Sequence, residues 1–174
     1  TRRWNLRVVN TPYKAPDMNH RIAVAGASGR MGHMLIDAIR GSEDCTLAGA
    51  LDMVGSVSID QDAGAFSGQP VGVAITSDLR RGLQSAAALI DFTRPEGTLA
   101  HLRICRDLGV QAVIGTTGFS DAQKEEIAAA AKDIAIVMAP NMSVGVNVTL
   151  KLLEMAARAL SVGYVIEIIE AHHR

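Results

Sequence analysis

The chain has 174 residues, of which 48% are hydrophobic and 20% charged, so it can bury the core of one domain, or of one domain and part of another. A net charge of −1 and an aromatic content of 3% supply neither the basic surface nor the stacking side chains typical of nucleic-acid-binding proteins. No apolar run approaches the length of a membrane-spanning helix, and the first residues lack the apolar core of a secretory signal, so we expect a cytoplasmic protein without nucleic-acid or membrane partners.

Neither the N-terminal segment nor the two cysteines carry a functional signal. Residues 1–17 contain arginines and prolines without periodicity. We expect a disordered leader ahead of a natural start at Met18, and not a targeting peptide, which would show a clearer amphipathic helix. Cys45 and Cys105 form neither a disulfide framework nor a metal-ligand cluster. We predict that both are small core residues and that the chain has no metal site.

From residue 18 to residue 143, apolar runs alternate with helical patterns, which predicts a doubly wound, parallel α/β sheet of the Rossmann type. The predicted strands are 22–25, 46–51, 71–75, 87–91, 110–114 and 134–138. The predicted helices are 31–40, 78–85, 96–108 and 121–132. Asp78 is the expected N-cap of the second helix, and Ser120 or Asp121 that of the fourth. Residues 53–70 are expected to form a long irregular connection.

A glycine-rich loop follows the first predicted strand. Gly26, Gly29 and Gly32 are spaced three residues apart and open an amphipathic helix. Glycines allow a tight turn and a close approach of the backbone to a phosphate, and the exposed amides at the helix start attract an anion. A glycine triplet also arises in ordinary turns, but its place between a strand and a helix favours a dinucleotide site.

An acidic residue lies at the position that a dinucleotide site requires. Asp52 ends the second predicted strand, 20 residues after Gly32, and a carboxylate there can accept hydrogen bonds from the hydroxyls of an adenosine ribose. We therefore predict that residues 18–143 form a dinucleotide-binding domain. A methyltransferase would combine a glycine loop and an acidic residue in the same way.

Small, polar or special-geometry residues directly follow four of the predicted strands. These clusters are 26–32, 92–97, 115–118 and 139–143. The carboxyl ends of parallel strands share one edge of the sheet, where open α/β sheets bind ligands, so we expect the four loops to converge on one crevice. Strand-to-helix loops are rich in Gly, Thr, Asn and Pro for turn geometry alone. Together with Asp52, however, the four clusters favour a ligand cleft.

The pattern changes after the last cluster. Val144–Ala159 predicts one long helix, and 164–171 predicts a strand that is followed by His172, His173 and Arg174. Because a strand requires a partner on at least one edge, we interpret residues 144–174 as the first helix and strand of an incomplete second domain. Without further context, the histidine pair is an exposed strand end or an adventitious metal site.

Five longer motifs run along the chain. They are VAGASGRMG (24–32), DFTRPEGT (91–98), GTTGF (115–119), SVGVN (143–147) and EIIEAHHR (167–174). With these motifs the chain resembles, from Met18 to Arg174, the bacterial dihydrodipicolinate reductases, also called 4-hydroxy-tetrahydrodipicolinate reductases. The resemblance implies an oxidoreductase that transfers a hydride from NADH or NADPH to a cyclic imine dicarboxylate, forming tetrahydrodipicolinate in lysine and diaminopimelate biosynthesis.

The resemblance also implies a role for residues in each cluster. It assigns the cofactor's pyrophosphate to Gly26, Ala27, Ser28, Gly29, Arg30 and Met31, and its adenosine ribose to Asp52, next to Met53. It assigns the nicotinamide half to Gly115, Thr116, Thr117, Ala139, Pro140, Asn141 and Met142. His172 would be the proton donor and acceptor, since histidine titrates near neutral pH. His173 would contact a substrate carboxylate, and Thr117 lies close enough in the family pattern to contact substrate.

Three departures from the family pattern modify these expectations. Met53 stands where the family commonly has an arginine that pairs with the 2′-phosphate of NADPH, and Arg30 is the only nearby cation to offset repulsion by Asp52. We therefore predict a preference for NADH, with NADPH possible. The family's catalytic lysine, substrate loop and homotetramer-forming sheet fall beyond Arg174, so we expect this chain to bind cofactor and turn over little or nothing. Met142 replaces a frequent aromatic residue with an equivalent apolar contact.

Other classes of protein share parts of this pattern. A short-chain dehydrogenase requires Tyr and Lys one helical turn apart, and neither Tyr13 nor Tyr164 has a Lys four residues on. A homoserine dehydrogenase would use the same fold. A methyltransferase would leave the clusters at 115–118 and 172–173 without a function. The alternative from another class is a catalytically silent NAD(H)-binding fragment that needs a complementary chain.

Overall fold

Six parallel strands form one sheet in the computed structural model, which describes residues 19–167 and residue 169. The strands are β1 (His20–Ala25), β2 (Cys45–Leu51), β3 (Ile75–Thr76), β4 (Ala88–Asp91), β5 (Gln111–Ile114) and β6 (Ile136–Met138). The helices are α1 (Arg30–Arg40), α2 (Leu79–Leu83), α3 (Pro95–Leu108), α4 (Asp121–Ala130) and α5 (Val144–Ala159), with a short 3-10 helix at Ala65–Ser67. The strand order is β3-β2-β1-β4-β5-β6, which confirms the predicted Rossmann-type architecture.

Two hydrophobic cores cover the two faces of the sheet. Side chains alternate between faces along β1, so Ala23 enters one core and Val24 the other. The core around Val24 includes Ile36 of α1, whereas the core around Ala23 joins the strands to α2, α3 and α4. Cys105 is fully buried in this second core, which confirms it as a core residue, whereas Cys45 is only partly buried and packs against the first core.

The third strand is shorter than the sequence pattern predicts, because it begins at Ile75 instead of residue 71. The Asp62 carboxylate accepts hydrogen bonds from the backbone N–H groups of Gly64 (2.7 Å), Val71 (2.9 Å) and Gly72 (2.7 Å). N–H groups that point at a carboxylate cannot join a strand ladder. These backbone bonds, that from Val71 foremost, hold the pKa of Asp62 below its ordinary value.

Capping side chains set the starts of α2 and α4, the two helices for which the sequence predicts a cap. Ser120 caps α4, because its hydroxyl accepts from the backbone N–H of Gln123 (3.3 Å) while the Gln123 side chain accepts from the N–H of Ser120 (2.9 Å). This reciprocal pair decides between the two predicted caps. Asp78 caps α2 as predicted, accepting from Arg81 N–H at 3.0 Å. The helix ends at Leu83, two residues before the predicted end, because the chain turns there into β4.

Helix α5 confirms the long helix predicted from residue 144. It begins after Ser143, whose hydroxyl accepts from the backbone N–H of Val146 (3.4 Å). Its apolar stripe stays exposed, with Leu152 and Met155 each 60% accessible. No helix among the described residues is long and apolar enough to cross a membrane.

The predicted strand at 164–171 is wrong for the residues that the structure describes. Residues 164–167 and 169 form no strand, because within the described part of the chain no strand lies beside them to complete the backbone hydrogen bonds. Residues 168, 170 and 171 lie outside the described residues, as does the leader predicted at 1–17.

Candidate functional site

A cleft of about 830 Å³ opens at the carboxyl edge of the sheet, where the strand order reverses between β1 and β4. Its walls come from the loops after β1, β2 and β4 and from the start of α3. The predicted site residues that line it are Gly26, Ser28, Gly29, Arg30, Met31, Asp52 and Met53. Open α/β sheets bind their ligands at such a switch point. The expected convergence is confirmed for the clusters at 26–32 and 92–97, which meet Asp52 here, whereas the clusters at 115–118 and 139–143 do not line this cleft.

The loop after β1 turns tightly because of two glycines. Gly26 adopts a φ of 71°, and a Cβ on Gly32 would lie only 2.1 Å from the carbonyl oxygen of Gly26. Gly29, the N-cap of α1, offers no side-chain cap, which leaves the first-turn amides available to an anion. Ala27 is fully buried and donates its N–H to the Leu51 carbonyl (2.9 Å), so its side chain faces the core and not the cleft.

Asp52 connects the end of β2 to the glycine loop. Its Oδ2 accepts from the backbone N–H of Ser28 at 3.1 Å, and its Oδ1 accepts from that of Met53 at 2.8 Å. A carboxylate has about four acceptor positions, so capacity remains for two ribose hydroxyls. Met53 follows on the cleft wall with 74% of its surface accessible. The acidic residue therefore stands beside the glycine loop, as the sequence spacing predicts.

A second arginine lines the cleft beside Arg30. Arg94 is the N-cap residue of α3 and belongs to the wall that follows β4. Parallel pairing of β1 and β4 brings their loops together, so the cleft has a cation in addition to the predicted Arg30. The sequence signal was present in the cluster at 92–97, where Arg94 precedes Pro95, a common first residue of a helix.

A buried carboxylate lies under the β4 wall of the cleft. Asp91, the last residue of β4, is 1% exposed, and its Oδ1 accepts from both the backbone N–H (2.9 Å) and the hydroxyl (2.6 Å) of Thr93. Its Oδ2 lies 2.7 Å from Nδ1 of His101 on α3. Burial alone would raise the pKa of this carboxyl, but the hydrogen bond and charge of His101 and the Thr93 bonds outweigh burial and lower it. Asp91 and His101 were absent from the predicted site residues, although Asp91 opens the motif DFTRPEGT (91–98), because the sequence does not show that α3 brings His101 back to Asp91.

The loop after β5 is anchored to the same carboxylate. Thr116, predicted to contact the nicotinamide, is only 4% exposed. Its Oγ1 accepts from the Thr98 hydroxyl at 3.0 Å and lies 3.4 Å from Oδ1 of Asp91, and the preceding Gly115 donates its N–H to the Asp91 carbonyl (2.8 Å). The Thr116 side chain therefore holds this loop against β4 and does not line the cleft.

The remaining predicted residues of the nicotinamide half lie further along the same sheet edge. Thr117 is exposed, and the segment Ala139, Pro140, Asn141 and Met142 follows β6 with mostly exposed side chains. The N–H of Ala139 donates to the Ile114 carbonyl at 3.1 Å, which keeps the loops after β5 and β6 adjacent. Neither loop contributes to the lining of the cleft.

The two predicted substrate-site histidines, His172 and His173, lie outside the described residues. Among residues 19–167 and 169, no group of three or more His, Cys, Asp or Glu side chains is arranged to hold a metal ion.

The strand order, the glycine turn and the carboxylate at the tip of β2 define the class: a Rossmann-type α/β domain of the kind that binds dinucleotides. The family model described as "Dihydrodipicolinate reductase, N-terminus" matches residues 20–142. The chain belongs to this family.

Similar proteins carry the name of the same enzyme. The chain is 66% identical over 154 residues to the 4-hydroxy-tetrahydrodipicolinate reductase of Herminiimonas arsenicoxydans, an alignment that covers 88% of this chain and 58% of that protein. It is 65% identical over 153 residues to the enzyme of the same name from Cupriavidus pinatubonensis, with the same coverage of 88% and 58%. The chain therefore spans less than two thirds of the length of these relatives.

Solved structures share the fold. The dipicolinate-bound dihydrodipicolinate reductase from Paenisporosarcina sp. TG-14 superposes with a TM-score of 0.65 at 25% identity, over 80% of this chain and 54% of that one. The WlbA dehydrogenase from Bordetella pertussis, solved with NADH and UDP-GlcNAcA, gives a TM-score of 0.61 at 19% identity over 86% of this chain and 42% of that one. The second likeness concerns the fold alone.

Proposed function

We propose that this chain is the cofactor-binding part of a 4-hydroxy-tetrahydrodipicolinate reductase, an oxidoreductase of lysine and diaminopimelate biosynthesis. The observation that carries the proposal is the Ser28–Asp52 hydrogen bond at the rim of the switch-point cleft. It joins the two elements that a dinucleotide site requires, a phosphate-binding loop and a ribose-binding carboxylate. The identity of 66% to a relative of that name supports this reductase among the dinucleotide enzymes.

The cofactor is proposed to be NADH in preference to NADPH. Asp52 would accept hydrogen bonds from the adenosine ribose, and its negative charge would repel a 2′-phosphate. The neighbouring Met53 offers no compensating charge. Arg30 and Arg94 line the cleft and can pair with the diphosphate, which both cofactors share, so NADPH is a weaker ligand that is not excluded.

The nicotinamide half is proposed to lie along the loops after β5 and β6, at residues 115–117 and 139–142. A bound reduced nicotinamide supplies the hydride. The substrate is proposed to be a cyclic imine dicarboxylate, with His172 holding and delivering the proton that its reduction requires, and with His173 and Thr117 binding it. We expect the full-length enzyme to act in the cytoplasm as a homotetramer.

The direct test combines binding with activity. Titration of the chain with NADH, followed through nicotinamide fluorescence, should give saturable binding that is weaker with NADPH. A reductase assay should give little or no turnover for the chain alone, and activity should appear on mixing with the C-terminal remainder of the Herminiimonas relative. Absence of NADH binding would contradict the proposal.

The same mixing experiment distinguishes the second candidate, a catalytically silent NAD(H)-binding fragment, from the reductase. It is favoured by the coverage of only 58% of the relative's length. A mixture that binds NADH but never reduces substrate supports it, whereas full activity of the chain alone would exclude it.

A further inference from the structure

The buried carboxylate of Asp91 links the loops after β4 and β5 to helix α3. It receives hydrogen bonds from Thr93 in the loop after β4, lies within 3.4 Å of the Thr116 hydroxyl in the loop after β5, and pairs with His101 on α3. A buried carboxylate costs free energy unless its oxygens are hydrogen-bonded. Here its hydrogen-bond partners are two residues that line the cleft, Thr93 and His101, and its neighbour Thr116 supports the adjacent loop.

The loop that Asp91 fixes also packs on the glycine turn. The methyl carbon of Thr93 lies 3.1 Å from the position a Cβ on Gly26 would take, and Thr93 lines the cleft. A shift of Thr93 would therefore change the width of the cleft beside the glycine turn. Asp91 sets this width through its two hydrogen bonds to Thr93.

His101 presents one ring nitrogen to the cleft. Its Nδ1 pairs with Asp91, and Nε2 makes no hydrogen bond with any described residue. No buried side-chain polar atom within the described residues lacks a partner, so Nε2 of this half-buried side chain reaches solvent, and His101 is part of the cleft lining. With Nδ1 engaged by the Asp91 carboxylate, Nε2 is the ring nitrogen left for a further hydrogen bond, and a ribose hydroxyl can be either donor or acceptor in that bond.

The position of His101 along the cleft identifies the group it meets. Asp52 closes β2, the glycine turn follows β1, and Asp91 closes β4, and these strands are consecutive in the sheet. Neighbouring strands lie about 4.8 Å apart. A dinucleotide with its adenosine ribose at Asp52 and its diphosphate on the glycine turn would thus carry its second ribose to the β4 wall.

We propose that Asp91 is a positioning residue that orients His101 so that Nε2 forms a hydrogen bond with a hydroxyl of the cofactor's second ribose. The proposal rests on the function proposed above. Asp91 itself is buried beneath the wall and acts through His101 and Thr93.

The test uses three ligands that differ by one part each: ADP, ADP-ribose and NADH, titrated by calorimetry. H101N is the sharpest variant, because the Asn amide can still donate to Asp91 while nothing replaces Nε2. We expect about 10-fold weaker binding of ADP-ribose and NADH, the effect of one lost hydrogen bond, and unchanged binding of ADP. H20N, at the exposed opposite end of β1, is the matched control and should bind all three ligands like the parent chain.

Asp91 is tested by removal and by conservative rescue. The D91L variant should weaken the binding of ADP-ribose and NADH more than the binding of ADP. D91N should recover most of the affinity, because Asn can still accept from Thr93 and donate to Nδ1, and a ribose hydroxyl can then accept from Nε2–H. D107N, on the last turn of α3 where Asp107 pairs with Arg80, removes a carboxylate from the helix that carries His101, outside the cleft lining, and should leave the binding of all three ligands unchanged.

The outcomes separate the two proposals. If the parent chain binds neither ADP nor NADH, the dinucleotide function fails and this inference fails with it. If the parent chain binds NADH but H101N binds ADP-ribose equally well, only the role of His101 is overturned. Equal losses for ADP and ADP-ribose would also overturn it, since they would mark general damage to the fold.

Discussion

The backbone N–H of Ser28 donates a hydrogen bond to Oδ2 of Asp52, so the residue that closes β2 also fixes the glycine loop after β1. Replacing Asp52 to alter cofactor choice would therefore loosen the phosphate-binding turn as well. Met53 has no comparable structural role, because its exposed side chain lines the cleft beside Asp52. Cofactor selectivity should thus be adjustable at Met53 without disturbing the turn.

The first prediction concerns that adjustment. Met53→Arg should improve NADPH binding about 10-fold, because a guanidinium next to Asp52 can pair with a 2′-phosphate. NADH affinity should change less than threefold. Fluorescence titration with both cofactors measures the shift. Val57→Arg adds the same charge at a residue 90% exposed and outside the cleft lining; an equal gain in that control would mean that general charge attraction is responsible.

The second prediction concerns the glycine turn. Gly32→Ala should destabilise the chain by about 2 to 3 kcal/mol and weaken NADH binding, since its Cβ would lie 2.1 Å from the Gly26 carbonyl and overpacking of this kind is costly. Gly41→Ala at the other end of α1 is the matched control, because its Cβ would make an ordinary contact at 3.5 Å. Urea unfolding of both variants measures the effect. Unchanged stability of Gly32→Ala would contradict the tight packing described here.

The third prediction is a pH dependence at Asp62. The pKa of this carboxyl is lowered in the folded chain below its ordinary value of 3.8, so its contribution to stability is fully present above that ordinary value and is lost as pH falls toward the folded pKa. Asp62→Asn should therefore cost about 1 to 2 kcal/mol at pH 7, and this cost should shrink below pH of about 4. Urea midpoints at several pH values measure it.

Asp44→Asn is the control for Asp62, because the Asp44 side chain is exposed and accepts no hydrogen bond from a described residue. Its effect should be small at every pH. A cost of Asp62→Asn that stays constant from pH 7 to pH 3 would show that the lost stability comes from packing and not from the ionised carboxylate.

The fourth prediction concerns the cysteines. Burial, assisted by the negative charge of Asp91, raises the pKa of Cys105 to about 12, so only roughly 10⁻⁴ of this thiol is ionised at pH 8. Iodoacetamide should label the half-buried Cys45 and leave Cys105 unmodified in the folded chain. Peptide mass spectrometry distinguishes the sites, and both should react in urea. Fast labelling of Cys105 under native conditions would contradict its burial.

Local signals predicted most of the fold, and the exceptions have physical causes. Alternation of apolar runs and amphipathic helices identified the sheet because the central strands β1 and β4 contribute buried residues to its core. The third strand was predicted too long because Val71 and Val73 have high strand propensity, whereas Asp62 captures the backbone N–H groups of Val71 and Gly72. The start of β3 therefore depends on a side chain nine residues away from Val71, and no local sequence pattern predicts such a contact.

The candidate site likewise contains residues that local signals predict and residues that they do not. Gly26, Gly29 and Asp52 were predictable because their roles depend on backbone geometry and spacing within one βαβ unit. Asp91, His101 and Arg94 were not predicted as site residues, because their roles depend on which strands become neighbours in the sheet. Thr116 was assigned directly to the cofactor, whereas its burial makes it a support for the loop after β5.

The brevity of β3 makes the two ends of the cleft unequal in rigidity. β3 pairs with β2 through only two residues, whereas β4 pairs with both β1 and β5 through four. The end of the cleft at Asp52 is therefore bordered by a segment fastened by side-chain hydrogen bonds, and the end at Asp91 by a continuous ladder. Residues 53–74 should therefore tolerate redesign, whereas the residues at the β4 end of the cleft have to be kept.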